Sequence, residues 1–167
     1  MLEKINNVTK IGVISDTHIP TRAKFLPQPA VETLKGTDFI IHCGDMVSKE
    51  VLLELGLTSP VYAVKGNMDP DELDLPDERI LLINSKLIIC VAHGSGPPFD
   101  IKQRLFRKFK KYDPFMIIYG HTHVPENDTY NGILLFNPGS CTYGKSNNSI
   151  GILTVSNDTI AGKIITL

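Results

Sequence analysis

The apolar positions of this chain fall into short runs rich in Ile and Val, each closed by polar residues. Residues 11–15, 39–43 and 61–65 are the first three. Runs of this length, apolar without strict alternation, are what a strand covered on both faces requires. The stretches between them carry helix signals: residues 29–35 open on Pro29, and residues 48–55 have Ser48 as a cap and Gly56 as a stop. The pattern predicts a βαβαβ unit with a parallel sheet. Residues 79–83 and 87–92 flank Asn84-Ser85-Lys86 and predict a hairpin, followed by a helix over residues 101–112. Further strands are predicted at 115–119, 128–130, 133–136, 150–155 and 160–167, with Asn131-Gly132 and Asn157-Asp158 as turns. No internal repeat or linker interrupts the series. At 167 residues and 42% hydrophobic composition the chain suits one domain spanning residues 1–167.

In an open α/β sheet the ligand crevice lies beyond the carboxyl ends of the strands, so the residues just after each run should meet. Here they are Asp16 and His18, then Gly44-Asp45, Gly66-Asn67, His93-Gly94 and Gly120-His121-Thr122-His123. Asp, Asn and His supply oxygen and nitrogen ligands, and the neighbouring glycines let the backbone turn sharply. Asp16, His18, Asp45, Asn67, His93, His121 and His123 together exceed the needs of one metal ion. The absence of cysteine disfavours a structural zinc site, and the histidine nitrogens argue against an all-oxygen Mg or Ca cage.

This ordered series resembles the calcineurin-like metallophosphoesterase superfamily, and within it the small bacterial and archaeal phosphodiesterases. The resemblance extends from Ile11 to Tyr143 and includes Asn137-Pro138-Gly139-Ser140. It implies a four-layer α/β sandwich, with two mixed β-sheets flanked by helices, around a dinuclear site. One metal would take Asp16, His18, Asp45 and His123, and the other Asp45, Asn67, His93 and His121. Asp45, Asn67 and His93 would serve the chemistry directly, with attack on phosphorus by a metal-bridging hydroxide. The resemblance favours manganese; nickel, iron, cobalt and zinc suit the same donors. Two divalent cations less the two carboxylates leave about +2, a charge suited to an anionic phosphate ester.

One departure shapes the expected substrate. Many larger members of the superfamily place a leaving-group-protonating histidine directly after the asparagine ligand, where this chain has Met68. Methionine donates no proton, so small activated or cyclic phosphodiesters, cyclic nucleotides among them, are expected in preference to alkyl monoesters. Asp69, which would partner that histidine, and His42, inside the second run, are expected to support ligands from behind. Arg22 is a candidate for reaching the phosphate. Asn137-Pro138-Gly139-Ser140 reads as a turn, with Asn137 and Ser140 as lesser candidates for touching the site. Lys102, Arg104, Arg107, Lys108, Lys110 and Lys111 read as a solvated helix face, with Leu105, Phe106 and Phe109 in the core.

With 17 Lys+Arg against 18 Asp+Glu, nothing in the overall charge calls for a long nucleic acid or a membrane surface. The N-terminal run lacks the features of a signal peptide, and no stretch is long enough to span a bilayer. Three scattered cysteines, Cys43, Cys90 and Cys141, fit a reducing cytoplasm. A homodimer is a family expectation. Two rival functions remain at this stage: a non-catalytic protein-binding scaffold of the same fold, and a phosphomonoesterase.

Overall fold

The computed structural model describes residues 2–167. The elements in chain order are β1 (Leu2–Ile5), β2 (Lys10–Ile14), α1 (Gln28–Leu34), β3 (Phe39–His42), α2 (Lys49–Gly56), β4 (Val61–Ala63) and β5 (Glu78–Ile83). They continue as β6 (Leu87–Ala92), α3 (Ile101–Phe109), β7 (Met116–Ile118), β8 (Glu126–Tyr130), β9 (Ile133–Asn137), β10 (Ser149–Ser156) and β11 (Thr159–Thr166).

These strands form two mixed sheets. One has the order β11-β10-β2-β3-β4 and the other β1-β5-β6-β7-β9-β8. Between them lies an apolar layer in which Ile11, Val13, Phe39 and Ile41 meet Leu81, Ile89, Val91, Met116 and Ile118. The opposite face of the first sheet, with Ile14 and Ile40, packs on Ala30 and Leu34 of α1 and on Val51 and Leu55 of α2. The opposite face of the second sheet, with Cys90 and Ile117, packs on Ile101, Leu105 and Phe109 of α3. The result is the expected four-layer sandwich. It explains the unbroken apolar runs, since β2, β3, β6 and β7 have an apolar layer on each side.

The strands β2, β3 and β4 run parallel, as do β6, β7 and β9 in the other sheet. Their carboxyl ends bring the chemistry-bearing residues to one edge. Backbone bonds carry the alignment past the strands: Asp16 N–H donates to Gly44 O at 3.0 Å and Gly120 N–H to His93 O at 3.0 Å.

Several local expectations change. The strand β1 was not foreseen; it pairs with β5 in the second sheet, away from its sequence neighbour β2. Its four residues are only partly covered at a sheet edge, too short a signal for periodicity to reveal. Ser48 occupies the N-cap position of α2 without a side-chain cap bond, and the helix runs through Gly56 to end at Leu57. The helix α3 stops at Phe109, and residues 110–112 tighten into a 3-10 turn closed by Asp113 in the left-handed region, φ 49°. At the hairpin, Asn84 and Ser85 both take positive φ, 51° and 57°, as a tight turn matched to the strand twist requires.

Candidate metal centre

The backbone around the edge is held in an uncommon conformation. Asp16, His18, Asp45, His121 and His123, five of the seven candidate ligands, have φ of 51°, 44°, 57°, 69° and 57°. Left-handed backbone is uphill for residues with a Cβ, by about 1–2 kcal/mol each, and survives where the surroundings over-determine it. The carboxylate of Asp69 supplies part of that constraint. Its Oδ2 accepts the N–H groups of Asp45 (2.8 Å) and Gly66 (2.7 Å), and its Oδ1 accepts Val47 N–H (2.7 Å). Asp69→Asn would turn an NH2 group toward N–H donors. It is expected to destabilise the fold by about 2 kcal/mol and to weaken metal binding about 10–100-fold. Denaturant unfolding and a manganese titration would show this, and an unchanged metal affinity would refute it.

His42 also acts from behind. Its Nδ1 accepts Gly44 N–H at 3.1 Å, so the ring proton sits on Nε2, 3.1 Å from Thr17 Oγ1. Burial pushes its pKa down to about 4, against the pull of Asp69 and Asp16, and the ring stays neutral.

The seven candidate side chains converge in two sets. In the first, His123 Nε2 is 3.2 Å from Asp16 Oδ1 and 3.2 Å from His18 Nε2. In the second, Asn67 Oδ1 is 3.2 Å from His93 Nε2 and 3.0 Å from His121 Nδ1. Asp45 stands between them. Its Oδ1 accepts Met68 N–H at 2.7 Å, while its Oδ2 lies 3.7 Å from His18 Nε2 and 3.4 Å from His93 Nε2.

Three of these imidazoles have their proton assigned by a main-chain carbonyl, which can only accept. His93 Nδ1 faces Cys43 O at 2.7 Å, His121 Nε2 faces Gly96 O at 3.0 Å, and His123 Nδ1 faces Tyr143 O at 2.9 Å. The remaining nitrogen of each neutral ring therefore presents a lone pair to the interior, where it meets the carboxylates and the Asn67 oxygen. Acceptor facing acceptor at such distances is unfavourable unless something positive lies between. Backbone-anchored imidazoles are also the usual support of metal-ligating histidines. The donor set thus fits divalent metal ions. Two overlapping groups, Asp16 with His18 and His123, and Asp16 with Asp45 and His93, already bring their ligand atoms within 4.8 Å of one another.

The protonation tendencies agree. For His123 the hydrogen bond to Asp16 and that residue's charge raise the pKa above 6.5. For His93 burial works downward, but Asp45 and Asp16 outweigh it and the net shift is upward. Burial lowers His18 despite the same two carboxylates. Asp45 is lowered: burial opposes its charge, and His93 and the Met68 N–H overcome it. With His93 and His123 raised, protons compete for their lone pairs at and below neutral pH. Metal affinity is expected to fall on acidification, by up to about tenfold per displaced proton per pH unit, between about pH 8 and about pH 6. Manganese titrations at the two ends check this; equal affinities would contradict it.

Other residues of the edge contribute as well: Ser15 and Thr142, which carry no sequence signal, and Ser140 and Asn137, the lesser candidates of the Asn-Pro-Gly-Ser segment. Ser140 Oγ donates to Asp16 O at 2.6 Å, Ser15 Oγ to Asp16 Oδ2 at 2.6 Å, and Thr142 Oγ1 to Thr17 O at 2.8 Å. Asn137, buried at the end of β9, donates from Nδ2 to Gly120 O at 2.8 Å. The Asn-Pro-Gly-Ser segment is thus more than a turn. Arg22 stacks over the Tyr143 ring at 4.7 Å beside the centre, in a recess of about 330 Å³ that also exposes Met68.

The sandwich and its donor cluster are those of a metallophosphoesterase. The chain matches the calcineurin-like phosphoesterase superfamily domain over residues 9–158, and it belongs to that superfamily. It is 47% identical over 135 residues to a probable metallophosphoesterase of Methanocaldococcus jannaschii, covering 79% of this chain and 68% of that protein. A phosphodiesterase of the same organism is 32% identical over 165 residues, with 86% and 92% covered. Among solved structures, Vps29 of Entamoeba histolytica complexed with zinc superposes with a TM-score of 0.75, covering 94% of this chain and 98% of that one. At 23% identity this last likeness is one of fold. No helix among the described residues is long and apolar enough to cross a membrane.

Proposed function

We propose that the chain hydrolyses small phosphodiesters at a centre of two divalent transition-metal ions, manganese foremost. The observation that carries the reading is the position of Asp45, whose Oδ2 faces both donor sets. Asp16, His18 and His123 would hold one ion, Asn67, His93 and His121 the other, and Asp45 both. When bound, such a pair lowers the pKa of a water, grips phosphoryl oxygens and neutralises charge in an in-line displacement.

The chain's own groups favour a diester. Asp69 has both oxygens engaged by three N–H donors and is 6% exposed, so it is not free to protonate a leaving group. Met68, 54% exposed, carries no proton to give. Leaving groups that depart as stable anions should therefore react fastest. Arg22 lines the same recess as His18 and His123 and would pair with a phosphoryl oxygen.

The test is to strip the metals, restore manganese, and compare bis(p-nitrophenyl) phosphate with p-nitrophenyl phosphate. Faster cleavage of the diester is expected, and comparable or faster cleavage of the monoester would overturn the preference for diesters. With an alkyl monoester such as glycerol phosphate, whose leaving alkoxide needs a proton, Met68→His is expected to raise turnover by at least about tenfold, within what an added general acid supplies, and to change p-nitrophenyl phosphate turnover little. No turnover with any transition metal would bring forward a binding scaffold, the alternative that the fold likeness to Vps29 keeps open.

A further inference from the structure

A cleft of about 360 Å³ adjoins the centre at Asn67 and His93, between α3, the end of β6 and the connection from β4 to β5. It shares Asn67 with the recess that holds Arg22 and Met68, and His93 forms part of its wall. The centre therefore borders two adjoining hollows. A phosphodiester has an organic arm on each side of phosphorus, a monoester on one, and the layout offers each arm of a diester its own space.

The lining of this cleft defines what it would take. Its floor is apolar, from Ala92, Ile101 and Leu105, all buried. Its sides carry three cations, Lys65, Arg104 and Lys108, against one acid, Asp77. Lys65 pairs with the exposed Asp71, and Lys108 with Glu78 at 2.8 Å. Exposed pairs of this kind are worth about 0–1 kcal/mol, so either ammonium can turn to a bound anion at little cost. Arg104 binds Asp100 and the carbonyls of Ser95 and Pro97, which fixes the outer lip. Its volume is that of a small-molecule site, at the small end of the usual range.

We infer that this cleft is a subsite for one ester arm of the substrate, receiving a compact organic group with an apolar face and a second negative charge. The inference rests on the phosphodiesterase reading, so its test is made by binding, independently of turnover. Methylphosphonate, phenylphosphonate and 4-carboxyphenylphosphonate, which have no ester bond to cleave, would be titrated calorimetrically into the manganese-loaded full chain. The phenyl compound is expected to bind about tenfold tighter than the methyl compound, and the carboxyphenyl compound tighter again by about threefold or more. Ser95 is exposed on the lip and its hydroxyl makes no protein hydrogen bond among the described residues. Ser95→Trp should erase the phenyl advantage and leave methylphosphonate binding unchanged. Lys108→Glu, on the exposed face of α3, should erase only the advantage of the carboxylate.

Equal affinities for the three ligands, no binding by any of them, or an order that survives Ser95→Trp would overturn the subsite. Absence of diester turnover with the binding order intact would instead sink the proposed activity and leave the subsite standing.

Discussion

Asp45→Asn is expected to abolish measurable diester turnover and to lower metal affinity by more than the roughly 10–100-fold typical of losing an outer-shell partner. The replacement is close to isosteric, so the fold should persist. Its amide oxygen can still accept Met68 N–H, as Asp45 Oδ1 does at 2.7 Å. That satisfied bond then directs the new NH2 group toward His18 and His93, where Oδ2 now stands. A charged acceptor shared by both donor sets becomes a neutral donor facing ring nitrogens that should bind metal. Metal content after dialysis and turnover of bis(p-nitrophenyl) phosphate would be measured together. Retention of two metal equivalents with a tenth or more of the activity would contradict the shared role of Asp45.

Gly66→Ala should be the most damaging small substitution at the edge. A Cβ there would overlap both the main-chain nitrogen and Oδ1 of Asp45, and would come within 2.9 Å of Asp45 Cγ. Gly66 N–H is tied to Asp69 Oδ2 at 2.7 Å, and Asp45 N–H to the same oxygen, so neither backbone can retreat alone. Overpacking of this kind ordinarily destabilises by about 1–3 kcal/mol, and here the strain falls on the side chain between the two donor sets. A lower thermal midpoint and loss of both metals are expected. Gly56→Ala is the control, since nothing lies within 4 Å of a Cβ at that helical position. It should be neutral or stabilising, by up to about 1 kcal/mol. Equal behaviour of the two variants would refute the argument.

The seven donors could be singled out because each directly follows an apolar run or lies within four residues of its end, and parallel topology converts that sequence position into a place on one edge. The division into two sets came only from resemblance, because spacing along the chain says nothing about which strand ends face each other. In the structure Asp45 Oδ2 lies 3.7 Å from His18 Nε2 and 3.4 Å from His93 Nε2, the observation on which the proposed division rests. What stayed illegible were ties of long reach: Ser140 to Asp16 O across 124 residues, and Asn137 to Gly120 O across 17. A serine in a Pro-Gly turn looks the same whether or not its hydroxyl holds a distant loop. The strand β1 was hidden for a related reason, since its partner β5 lies more than seventy residues away, with Leu2 opposite Ile80. Ser48 shows the opposite error: the right residue at the helix entry, without the bond that motivates the assignment.

The donors are divided between the sheets. Asp16, His18, Asp45 and Asn67 follow strands of the sheet containing β2, β3 and β4, while His93, His121 and His123 follow β6 and β7 of the other. Neither sheet alone holds a full proposed set, so tight metal uptake at this centre would require that the two have already docked in register. Bound metal would then act as a clasp across the seam, stabilising the docked state by about 2.7 kcal/mol when present at a hundred times its dissociation constant. A chain with both sheets formed but slipped against each other would be left with separate half-sites. The ions would thus serve as a checkpoint on assembly, reserving catalytic competence for chains whose halves have met correctly.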